Sequence, residues 1–175
     1  MPQLTTHLTI DAPADQVWQV IGPGFARIGD WATTIPASAA IPAPAPAVAR
    51  PAAASAPVLG RTCRTRIRLV PQIAETLTDY DQESRSLTYH AGGLPAFVTT
   101  ARSTWRVIPA GGRSCRVTVT AHFQTRGVLG LLGCWVILAQ ARLAARHLQA
   151  DLRHYIKHGT ASPRKQRQLS RGRRC

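Results

Sequence analysis

The stretch Ile35–Pro57, IPASAAIPAPAPAVARPAAASAP, decides whether the chain is one domain or two. Positions 36–57 hold eleven alanines and six prolines in 22 residues. Proline interrupts helices and removes ladder donors, and alanine has little surface to bury, so this composition makes no core. A linker between domains has the same look. The 35 residues on its N-terminal side, however, are too few to fold alone. The stretch therefore reads as an expanded loop, residues 36–57, inside a single domain.

On its N-terminal side, Leu4, Thr6, Leu8 and Ile10 alternate as one face of a first strand. APADQVWQVI then reads as a short helix, with Pro13 in the first turn and Asp15 near the positive end of the helix dipole. GPGF breaks it, and FARIGDW reads as a second short helix ending near Trp31. On the C-terminal side the period becomes two. In GRTCRTRIRLV, Cys63, Thr65, Ile67 and Leu69 alternate with Arg64, Arg66 and Arg68, giving one apolar and one cationic face. ETLTDYD and SLTYHAG read as two strands joined by a polar turn. Two further strands follow, one with Ala101, Ser103, Trp105 and Val107 inward, the next with Val117, Val119, Ala121 and Phe123. Their connections are too short for crossover helices, so the sheet is antiparallel. After Gly133, the residues Trp135, Val136, Ala139, Leu143, Leu148, Leu152, Tyr155 and Ile156 predict one long amphipathic helix covering that sheet.

The chain of 175 residues carries 22 Lys plus Arg against 8 Asp plus Glu, a net charge of +14. Six of the basic residues lie in the tail SPRKQRQLSRGRRC, which reads as disordered beyond residue 158. Such a charge attracts polyanions, whether nucleic acid or anionic lipid. The four cysteines have neither the C-x-x-C pairs nor the spacing of a zinc or iron–sulfur site. Neither a metal nor a cofactor is expected. The start MPQLTTHLTIDAPADQ is not a secretory signal. The most apolar run, Val128–Ala139, is 12 residues long, short of the roughly 20 that span a bilayer. A soluble, cytoplasmic protein is the resulting expectation.

In this order of elements the chain resembles the START-like superfamily, also called the Bet v 1-like or helix-grip fold, and in it the polyketide cyclase/dehydrase-type branch. The residues that carry the resemblance are Ala12-Pro13-Ala14-Asp15-Gln16-Val17-Trp18, the pair Asp30-Trp31 with Pro36 behind it, and Gly60 followed by Arg64. Glu75, Leu77 and Asp81 come next, then Tyr89, Leu94-Pro95, the strand Trp105 to Pro109, Phe123 and the helix from about 130 to 158. The resemblance covers roughly residues 4 to 157 apart from the Ala/Pro stretch, which stands where relatives usually carry the second strand; this implies either a sheet one strand short or a cavity mouth opened beside Trp31. It implies an α+β helix-grip domain over residues 1–158, a curved antiparallel sheet wrapped around a long C-terminal helix with two short helices after the first strand. GGLPAF at Gly92 looks like the gate loop of plant abscisic-acid receptors, but it follows the Glu75 strand instead of preceding it, so hormone recognition is not carried over.

Period two places Glu75 on the inward face with Ile73 and Leu77, where a carboxylate needs a partner or a raised pKa. It reads as a group that hydrogen-bonds a ligand or acts as general acid/base, or alternatively as a carboxylate paired to a strand arginine. Tyr89, Trp105 and Phe123 read as inward aromatics that line a cavity or fill a core, and Trp31 as a cap on the cavity mouth or a pin for its own helix. Trp31, Glu75, Tyr89, Trp105 and Phe123 are thus the candidate ligand contacts, with Glu75 the candidate catalytic group. His154 and His158 can meet on one helix face, without the spacing of a metal site. Nucleophile elbows and phosphate-cradling glycine loops are absent from the sequence. Three functions remain open: a binder of a small hydrophobic or aromatic molecule, a cyclase/dehydrase-like acid/base enzyme, and an adaptor whose basic tail contacts nucleic acid or anionic lipid.

Overall fold

A computed structural model describes residues 3–42, 56–67 and 70–172, and for residue 67 and residues 128–138 the backbone only. Strand β1 (Gln3–Ile10) leads into α1 (Ala14–Ile21), a 3-10 turn (Phe25–Arg27) and α2 (Ile28–Trp31). Six strands follow: β2 (Ser38–Ile41), β3 (Gly60–Ile67), β4 (Val70–Asp81), β5 (Ser86–Gly92), β6 (Val98–Pro109) and β7 (Cys115–Thr125). The long α3 (Gly127–His158) and a short α4 (Pro163–Gly172) complete the chain. The sheet is antiparallel in the order β1-β7-β6-β5-β4-β3-β2. This is the helix-grip arrangement.

The alternation in β3 is as the sequence requires: Cys63 is buried, and Arg64 and Arg66 are exposed. Arg102, Arg106 and Arg116 are likewise on the outer face, while Arg68 lies outside the described residues. The core is built by Leu8 and Ile10 of β1, Val17, Trp18 and Ile21 of α1, the inward residues of the central strands, and Leu152 and Ile156 of α3. Each such side chain, taken fully from water, stabilises the fold by about 1.5–3 kcal/mol.

The structure corrects three expectations. Residues 36–57 were expected to replace the second strand, yet Ser38–Ile41 forms β2 and pairs with β3 from Ser38↔Cys63 to Ile41↔Gly60. Ladder bonds use only the main chain, and this run is free of proline between Pro36 and Pro42. Ser38 also pins it, since its Oγ accepts from Gly29 N at 2.9 Å and donates to Ala26 O at 2.6 Å. Residues 43–55 of the stretch lie outside the described residues.

The tail expected to be disordered instead forms α4, capped by Ser162 and anchored by Lys165, a residue with no exposed surface. Lys165 Nζ donates to Ile35 O at 2.7 Å and Pro36 O at 3.2 Å. Asp151 of α3 ties the same corner together, accepting from Thr33 N (2.7 Å), Thr33 Oγ1 (2.6 Å) and Ser162 Oγ (3.0 Å). Third, Leu143 is 56% exposed. The inward line of α3 runs through Ala141, Ala145, Leu148, Leu152 and Ile156, and Leu143 points about 200° away from Ala141 at 3.6 residues per turn. Trp135 and Val136 fall outside the described side chains. Gly159, at φ 67°, closes α3 in the left-handed conformation that glycine adopts without a Cβ clash.

Candidate functional site

Inward parity on β3 extends one step before Cys63, to Arg61. Its side chain is 5% exposed and forms an ion pair through Nε with Oε2 of Glu75, its direct neighbour in the β3–β4 register. Gly60 makes room for this close pairing of strands, because a Cβ there would come within 2.3 Å of Glu75 O. Arg61 Nη1 donates to Phe25 O at 2.5 Å. The guanidinium carbon lies 3.9 Å from the Phe25 ring centroid and 5.5 Å from that of Tyr89. The two rings are themselves 5.5 Å apart, so the cation sits against two aromatic faces.

The electrostatics follow from burial and these neighbours. Burial works against the Arg61 charge, but Glu75 and the surrounding groups outweigh it and hold the guanidinium pKa above its ordinary value. Burial, reinforced by Glu75, pushes the Cys63 thiol up to about 12 and the Tyr89 phenol well above its usual range. The cluster thus holds one cation, one anion and two groups kept neutral. Ser103 and the Trp105 indole border the Tyr89 hydroxyl.

Trp31 and Trp105 meet at a small void of about 10 Å³ that Phe25, Ile28, Arg61 and Leu87 also line. Trp31 is 3% exposed and stacks on Tyr155 at 6.3 Å, so it is an inner wall, deeper than a cap at the mouth. On its other side Trp105 borders a second void of about 30 Å³, together with Thr6, Leu8, Val119, Leu148 and Leu152. Both indole Nε1 atoms are buried without a hydrogen-bond partner. Neither void exceeds the space of a water or two.

Of the candidate residues, Trp31 and Trp105 share a void, and Glu75 and Tyr89 join them through Arg61. Phe123 lies apart. It shares the inward face through its pairing with Ala101, but stands toward the other end of the sheet, half-buried and two residues along β7 from Ala121, which pairs with Leu4. Arg61 itself was not singled out from the sequence, although the same two-residue alternation that turned Cys63 inward applies to it. His154 and His158 pack their rings 4.4 Å apart. Among the described residues, none of the groupings of His, Cys, Asp and Glu has three members placed to hold a metal, and none of the helices is long and apolar enough to cross a membrane.

A family described as polyketide cyclase / dehydrase and lipid transport matches residues 1–155. The chain belongs to this family. No curated protein matches the sequence. Solved structures with the same helix-grip fold superpose on the chain at low identity. XoxI from Bacillus cereus superposes with a TM-score of 0.65 at 21% identity, over 90% of this chain and 97% of the other. The di-domain ARO/CYC BexL from the BE-7585A biosynthetic pathway gives 0.67 at 17% identity, over 90% of this chain and 47% of that two-domain protein. Norcoclaurine synthase from Thalictrum flavum, in complex with dopamine and hydroxybenzaldehyde, gives 0.64 at 17%, over 90% and 87%. At these identities the likeness is one of fold.

Proposed function

We propose that the protein binds a small hydrophobic or aromatic molecule between the inner face of the sheet and α3. The observation that carries this reading is a strip of half-buried apolar side chains on the concave face, Leu4, Ala91, Ala121 and Phe123, continuing from Tyr89. An apolar occupant removes that strip from water, at about 25 cal/mol per Å². Tyr89, Ser103 and the Trp105 indole supply polar groups at its inner end. The voids beside Trp105 are far below the roughly 300 Å³ of a drug-sized site. A ligand reaching past the strip therefore moves the Trp105 indole. The aromatic molecules named with norcoclaurine synthase support an aromatic occupant.

The second reading, a cyclase/dehydrase-like acid/base enzyme, draws support from the influence of Glu75 on the Tyr89 hydroxyl. Against it, the Glu75 carboxylate is already committed to an ion pair with Arg61 and is 13% exposed. Binding is the reading we favour.

The test is titration of the protein with an apolar dye whose emission rises on leaving water. Saturable binding, displaced by small aromatic ketones and weakened roughly tenfold by Phe123→Ser, is the expected result. Absence of saturable binding would sink the proposal.

A further inference from the structure

The exposed acidic residues gather toward one end of the sheet, where Arg85, Arg106, Arg113 and Arg116 accompany them. All eight acidic residues have described positions. Glu75 and Asp151 are inside, and Asp30 on α2 pairs with Arg27 at 3.1 Å. The rest, Asp11, Asp15, Asp79, Asp81 and Glu83, lie where the β1–α1 junction meets the β4–β5 hairpin, and Asp15 and Arg85 join the two at 2.7 Å.

The opposite end is formed by the last residues of β3, the first of β4, the β5–β6 connection and the β7–α3 junction. Its surface carries no acidic residue and exposes Arg64, Arg66, Arg102 and Arg126. The β5–β6 connection there presents Leu94, Pro95, Ala96 and Phe97, all apolar, with Ala96 exposed and the others half-buried. Arg126 N donates to Phe97 O at 2.9 Å, which holds the cation and the apolar loop side by side.

A cationic surface attracts polyanions in general. The apolar loop discriminates among them. Nucleic acid rewards arginines accompanied by polar base contacts or stacking rings, whereas an anionic bilayer takes charge at its headgroups and apolar side chains just beneath. We propose that this end of the molecule docks on an anionic lipid surface, with Arg64, Arg66, Arg102 and Arg126 at the headgroups and the loop Leu94–Phe97 entering the interface. The docking is independent of any ligand on the inner face of the sheet.

The test is co-sedimentation of the intact chain with vesicles of phosphatidylcholine alone and of phosphatidylcholine mixed with phosphatidylglycerol, over a range of salt. Binding only to the mixed vesicles, falling as salt rises, is expected. Arg126→Glu and Arg113→Glu change the net charge equally, but Arg113 is exposed on the β6–β7 hairpin at the other end. Arg126→Glu should weaken binding by roughly tenfold or more, and Arg113→Glu by less than about twofold. Phe97→Ser should weaken it at every salt concentration. The proposal is overturned if mixed vesicles do not bind or if the two charge reversals act equally. It is also overturned if only Arg164→Glu and Arg167→Glu on α4 matter, or if an oligonucleotide binds more tightly than the vesicles with Phe97→Ser having no effect.

Discussion

Arg61 and Glu75, directly opposed in the β3–β4 register, form an ion pair inside the protein, with side chains 5% and 13% exposed. Each charge is tolerable there only because of the other. Glu75→Ala, which strands a buried cation beside Phe25, is expected to destabilise by about 3–5 kcal/mol. The double replacement Arg61→Met with Glu75→Leu should lose much less than the single change. Urea unfolding of the three proteins measures both, and equal losses in single and double variants would contradict the pairing.

Lys165 makes a pH-dependent contribution with a defined sign. Burial lowers its pKa to about 8, with Asp151 and Asp30 opposing the shift and Arg66 adding to it. An unfolded lysine titrates near 10.4. Between these values the unfolded chain holds more protons, so the Lys165 contribution to stability rises with pH from about 8 to about 10.5 and is flat below. Lys165→Met removes that slope. At pH 7 the methionine variant avoids a desolvation penalty on the order of 2–3 kcal/mol, offset by the loss of two hydrogen bonds to Ile35 and Pro36. Denaturant midpoints of both proteins between pH 7 and pH 10 provide the comparison, and parallel pH profiles would refute it.

Cys63 and Cys115 are buried free thiols, and burial raises the pKa of both, Cys63 to about 12. Thiolate is the reactive form. Mass mapping after alkylation at pH 8 should therefore find both unmodified in the native protein and modified in denaturant. Rapid native labelling of Cys63 would show that β3 opens.

Trp105 separates two voids. Trp105→Ala should merge them into one apolar cavity at a cost of about 3–5 kcal/mol. Added indole should restore part of the lost thermal stability by filling it, as read by a shift in Tm. A variant that fails to respond to indole would mean that the core collapses around the deletion.

The inner face of the sheet was legible in the sequence because β3, β6 and β7 alternate cleanly. Cys63 against Arg64, Trp105 against Arg106 and Val117 against Arg116 each place one side chain in and one out. The same alternation reaches Arg61, but a charged residue beside a cationic strand face reads as one more exposed arginine until its partner Glu75 is seen across the ladder. β2 was hidden for a different reason. Its side chains, Ser38-Ala39-Ala40-Ile41, carry little β preference, and what holds it is main-chain pairing with β3 and the two hydrogen bonds of Ser38. α4 was hidden by charge, since Lys165 is one of six basic residues in the tail and only its reach to the carbonyls of residues 35 and 36 distinguishes it. Phe123 was assigned the correct face, but its distance along the sheet from Trp31 depends on strand register, which periodicity alone does not contain.

Native mass spectrometry of the protein purified from its own host, followed by extraction and identification of whatever dissociates, tests ligand binding most directly. The expected result is a stoichiometric small apolar or aromatic compound, lost or reduced in Phe123→Ser. A protein that emerges empty, and stays empty after exposure to a host lipid and metabolite extract, would contradict it.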